Sequence, residues 1–173
     1  MAPPTDYHFW TREIGTWMCT LIQDELAAEL GLDTGQRVMF GDLKAYPENA
    51  LALHVPGVFV WPIDVANEFI SMNARWNQKY RFKIVWLSRV PEGADIETTR
   101  VNGVNRIGDL LMANYLMRDP VVSGTSTFVA HSITVDRIDY KPSEDEIVSG
   151  STDGINLFAG AVECTVEAQT WNS

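Results

Sequence analysis

Cysteine is nearly absent from this chain. Its 173 residues hold two, Cys19 and Cys164, on separate expected elements, with no CxxC spacing and no clustered histidine. That argues against a cysteine-built zinc site and a disulfide framework, and predicts two reduced, buried thiols. Long apolar runs are missing as well. The longest, "GVFVWPI" at 57–63, is far short of the roughly 20 residues that cross a bilayer and contains Pro62. The opening "MAPPTDYHFW" carries neither a basic n-region nor an apolar h-region, so the sequence predicts a soluble, unexported protein. Base is scarce against acid, 13 Lys and Arg to 23 Asp and Glu, for a net charge of -10. Such a balance repels free nucleic acid at long range and argues against nonspecific DNA binding. The patterns GxxxxGK[ST], GxGxxG and HExxH do not occur, so phosphate-cradling loops and zincin helices have no support.

What is present is one domain's worth of chain, 1–173, with 46% hydrophobic residues and no repeat, low-complexity tract or linker. Residues 7–30 place Phe9, Ile14, Trp17, Leu21, Leu26 and Leu30 at amphipathic spacing and predict a helix ending at Gly31. "QRVMFGDLKAYPENALA" and "GVFVWPI" read as two extended segments broken by Pro47, Pro56 and Gly57. Residues 64–74 fit a short helix or a loop.

"KYRFKIVWLSRV", 79–90, is the clearest strand, with Tyr80, Phe82, Ile84 and Trp86 on one face and Arg81, Lys83, Val85, Leu87 and Arg89 on the other. Apolar residues on both faces from Ile84 to Leu87 predict a central strand covered on both sides there. After a loop "PEGADIE", a second helix is predicted from Val104 to Met117, closed by Asp119-Pro120. The last third reads as a long hairpin. Its first strand puts Val129, His131, Ile133 and Val135 on one face and Ala130, Ser132, Thr134 and Asp136 on the other. Its second puts Phe158, Val162, Cys164, Val166 and Ala168 opposite Glu163, Thr165, Glu167 and Gln169, a polar side that meets water or a partner. The expected fold is α+β: two main helices packed on one face of a mostly antiparallel sheet that ends in a long β-hairpin.

Four features invite a chemical reading. The connection "SEDEIVSGSTDG" between the hairpin strands concentrates Glu144, Asp145, Glu146 and Asp153 but lacks the register of an EF-hand, and a solvated loop accounts for it better. "GSTDG", 150–154, echoes a nucleophile elbow, yet a strand rather than a helix follows. His8, His54 and His131 have no nucleophile forced beside them, and His131 reads as a hydrogen-bonded core residue. The basic stretch "ARWNQKYRFK" interleaves Arg75, Lys79, Arg81 and Lys83 with aromatics. Base stacking on single strands is one use of such a pattern; the plainer use is a strand whose basic side chains reach outward. A third is contact with the acidic 144–146 loop of another subunit. No catalytic residue, cofactor or metal site is assigned.

From Arg37 to Trp171 the order of segments resembles the tail-terminator family of long-tailed bacteriophages. The carriers are "AYPENALALHVPGVFVWPI", "KYRFKIVWLSRV", the helix "RIGDLLMANYLMRDP" and the closing "ITVDRIDYKPSEDE...INLFAGAVECTVEAQTW". The first helix is longer and richer in Trp than that pattern, and 64–78 stands as an insertion. The neighbouring roles of tail completion or head-to-tail joining therefore stay open. So does a small enzyme or ligand-binding domain using the 143–153 loop. The resemblance implies a non-enzymatic virion protein at the head-proximal end of the tail, assembled in the host cytoplasm. It implies a homo-oligomeric ring, commonly of six copies, that ends tail-tube polymerisation. Its implied partners are itself, the tail-tube protein and a head-side connector, with no membrane and with DNA only as cargo through the lumen. Arg75, Lys79, Arg81, Glu144, Asp145, Glu146, Glu163 and Glu167 are the expected subunit contacts.

Overall fold

The computed structural model describes residues 9–32, 37–41, 55–71, 75–89, 95–115, 127–140 and 157–171. Helix α1 (Thr11–Leu26) leads to strand β1 (Val38–Phe40), then β2 (Gly57–Ser71), β3 (Arg75–Arg89), helix α2 (Ile96–Ala113), β4 (Thr127–Asp139) and β5 (Leu157–Trp171). The strands form one sheet in the order β1-β2-β3-β5-β4. Only β1 and β2 run parallel; every other neighbouring pair is antiparallel. This is the expected α+β architecture, with β3 at the centre and the β4–β5 hairpin at one side.

Both helices pack on the same face. Ile14, Met18, Ile22 and Leu26 of α1, and Val104, Ile107 and Leu111 of α2, are buried against Tyr80, Phe82, Ile84 and Trp86 of β3 and Val162, Cys164 and Val166 of β5. The phase of β3 and of β5 is therefore as the alternation predicts. The opposite face is apolar at one end only, where Val55, Phe59, Val85, Leu87, Ala159 and Ala161 form a second buried cluster.

Several boundaries differ from the sequence reading, each for a nonlocal or capping reason. The first helix stops at Leu26 and continues as turns to Gly31, whose φ of +70° suits glycine at a helix exit. The stretch from 64 to 71 is neither helix nor loop. It prolongs β2 into a 15-residue strand because β3 offers it a partner, in register from Asp64↔Arg81 to Ser71↔Arg75. The second helix begins well before Val104, at Ile96. Asp95 starts it: its carboxylate accepts hydrogen bonds from the Thr98 amide (3.3 Å) and hydroxyl (2.7 Å). Asn102-Gly103 is thus inside the helix, and Gly103 is there for closeness, since a Cβ would collide with the Trp86 ring. The helix ends at Ala113, with the Asn114 amide group donating back to the Leu110 carbonyl at 2.9 Å. Asp119-Pro120 lies outside the described residues.

The predicted faces of β4 are corrected by two bulges. Register shifts between Ala130 and Ser132, and between Val135 and Arg137, make His131 and Asp136 extra residues. Ala130, rather than His131, therefore shares the core face with Ile133, opposite Ala168 and Val166 respectively, and the side chain of Val129 lies outside the described residues. His131 is half-buried and its Nε2 has no hydrogen-bond partner among the described residues, against the satisfied core histidine expected.

Candidate functional site

The polar side of β5 is where the sequence-derived candidates meet. β5 lies between β3 and β4, so each outward residue of β5 has a neighbour on both sides. Lys79 pairs in register with Glu167, Arg81 with Thr165, and Lys83 with Glu163. Across the other flank Glu167 faces Ser132, Thr165 faces Thr134, and Glu163 faces Arg137. β2 adds Asp64 beside Arg81 and Glu68 beside Asn77. The result is a flat lattice of alternating charge on the face away from the helices.

Most of these charges are answered within the chain. Arg81 Nη1 lies 2.9 Å from Asp64 Oδ2, with both side chains about half exposed. Lys79 Nζ is 3.5 Å from Glu167 Oε1, and Lys83 Nζ is 3.8 Å from Glu163 Oε1. The Thr165 hydroxyl donates to Asp136 Oδ2 at 2.6 Å. Arg137, 66% exposed, reaches Asp139 at 3.5 Å. Exposed pairs of this kind contribute little stability singly, about 0–1 kcal/mol. What they set is the potential of the face, which mixes both signs on a strongly acidic chain.

Lys83 departs from the snorkelling pattern. It is 7% exposed, sitting where the face passes from charged to apolar, with Trp61 as its cross-strand neighbour on β2. Of the expected contacts, Lys79, Arg81, Glu163 and Glu167 come together, and Lys79 meets Glu167 inside one chain. Arg75 is at the start of β3, opposite Trp171; its side chain, together with Glu144, Asp145, Glu146 and the rest of the 143–153 connection, lies outside the described residues. Asp64, Asp136 and Arg137 belong to the lattice yet were not singled out. The signal for Asp64 was its alternation with Val65 in a segment too polar to declare itself a strand.

Behind the lattice the core is buried and apolar. Burial pushes the Cys19 thiol up to about 12, and burial, helped by the charge of Asp136, does the same to Cys164. Both cysteines are free, and Cys164 Sγ lies 4.0 Å from Met18 Sδ. Tyr80 is fully buried; its hydroxyl accepts from the Trp10 amide at 3.1 Å and donates to Gln78 Oε1, while burial raises it to about 12. Among the described residues no three His, Cys, Asp or Glu side chains gather as a metal site would require, and no helix is long and apolar enough to cross a membrane. A scan of protein-family models returns no matching family, and a search of curated proteins returns no match.

Proposed function

We propose that this protein is a structural component of a phage virion, a tail terminator whose copies form a ring on the head-proximal end of the tail tube. The observation that carries this reading is the charge-paired lattice on the sheet. Subunits of charge -10 repel one another unless they meet through surfaces where charge is answered. Lys79, Arg81, Lys83 and Arg137 stand among Asp64, Glu163, Glu167 and Asp139 on such a surface. The element order that resembles the terminator family, with the β4–β5 hairpin beside the central strand, is its second support. In this reading the charged half of the sheet, with the 144–146 acids, supplies contacts between copies, and the acidic remainder leaves DNA free to pass the lumen.

Light scattering after size exclusion tests it. A mass that is a multiple of 19.4 kDa, and tubes that stop growing when the protein is added to polymerising tail-tube protein, are the expected results. A chain that stays monomeric beside tubes of unaltered length rejects the reading.

A further inference from the structure

The apolar end of the outer sheet face is buried, and no described helix buries it. Phe59 and Leu87 are 0% exposed and Val85 and Ala161 1%, with Val55, at the entrance to β2, in the same cluster. Both helices pack on the other face. In a single chain that burial requires cover from one of the connections between the described elements.

The path of the chain says which. β1 and β2 are parallel neighbours, so the polypeptide between them crosses a face of the sheet. α2 makes the other such crossing, on the helix face, from β3 to β4, which are parallel because each is antiparallel to β5. Both crossings advance the same way along the order β1-β2-β3-β5-β4, but β1 and β2 point opposite to β3 and β4. Crossings within one sheet turn right-handed in about 98% of cases. Two of the same hand, advancing together on opposed strands, lie on opposite faces. With α2 over one face, the passage from β1 to β2 lies over the other, where the second cluster is.

That passage is 42–54, "DLKAYPENALALH", about a dozen residues, the length a parallel crossing takes. Its flanks are at the cluster: the Gly41 amide donates to the Val60 carbonyl at 2.8 Å, and Val55 is buried beside Phe59. It carries Leu43, Tyr46, Leu51 and Leu53, and Leu51 and Leu53 alternate in step with Val55. The other long connections suit an apolar face less well. Residues 141–156 hold Glu144, Asp145, Glu146 and Asp153, and 116–126 lead to Thr127, at the opposite end of the strands, where Trp171 and Arg75 pair.

We propose that 42–54 crosses the sheet on the face away from the helices, with Leu51 and Leu53 seated on Phe59, Val85, Leu87 and Ala161. The chain itself then closes the apolar end of that face, and the charged end, with Asp64, Arg81 and Glu167, is what the face presents outward. The inference goes beyond the ring reading and does not depend on it.

Methyl-labelled NMR on the unaltered chain tests it. Nuclear Overhauser contacts from the Leu51 and Leu53 methyls to those of Val85 and Leu87 are expected. Contacts to Ile22 or Ile84 on the helix face overturn the proposal. So do contacts to Val85 and Leu87 from Ile147 or Val148 in place of the leucines, or none from the segment at all. Thermal unfolding gives a second readout. Leu53→Ala and Leu87→Ala are each expected to lower the melting temperature, and the double variant to lose less than the sum, because truncating either side chain leaves the other without its partner. Additive losses for that pair, or coupling of Leu53→Ala with Ile22→Ala instead, overturn it as well.

Discussion

The two ends of the sheet use the same strands under different rules. Around Phe59, Val85, Leu87 and Ala161 the sheet is apolar on both faces. Around Asp64, Lys79, Arg81, Thr165 and Glu167 it is apolar only toward the helices. β3 crosses from one regime to the other within a few residues: Lys79, Arg81 and Lys83 alternate with Tyr80 and Phe82, then Ile84 to Leu87 runs apolar without a break. Lys83 sits at the border and is already buried. The same outward side of the sheet is thus apolar and buried at one end, and charged and exposed at the other.

The largest expected effect comes from putting the charge of the exposed end into the buried one. Val85→Lys puts a cation on the same side as Arg81 but in a site 1% exposed, and is expected to cost about 4 kcal/mol or more in urea unfolding. Arg81→Val, the reverse exchange at the wet end, is expected to stay within about 1 kcal/mol. Gly160→Ala tests the helix side, which both ends share. Its new methyl meets Val104 Cγ2, and a loss of about 1–3 kcal/mol is expected as α2 is pushed from the sheet.

Alkaline pH probes the same buried side. Cys19, Cys164 and Tyr80 all titrate higher when folded than when unfolded. The folded state then holds more protons, so stability is full below pH 9 and falls between pH 9 and 12. Melting temperatures measured from about pH 8 to about pH 11 should decline across that window, and the decline should shrink in Cys164→Ala. The smallest effect is the coupling of Lys79 with Glu167, about 0.2–1 kcal/mol by double-mutant cycle and lower at high salt.

Local pattern carried the phases of β3 and β5, the helix-side core and the buried thiols, because alternation and helical spacing are written in consecutive residues. Register is not. Nothing near Lys79 in the sequence says that Glu167 will stand beside it in the same chain; that neighbourhood is set by the pairing of β3 with β5. The strand character of 64–71 comes from β3, not from its own polar sequence. The bulges at His131 and Asp136 shift faces that strict alternation assigns, and Gly103 reads as a turn until the Trp86 ring is placed against it.

The position of β5, interior to the sheet yet last among the described strands, bears on how the polypeptide emerges from a ribosome. Until residues 157–171 are made, β3 has one neighbour and β4 has none in the sheet. The nascent chain must wait with sticky borders exposed, and a premature stop before Leu157 would leave β3 and β4 with unpaired edges prone to aggregation rather than a slightly shortened domain.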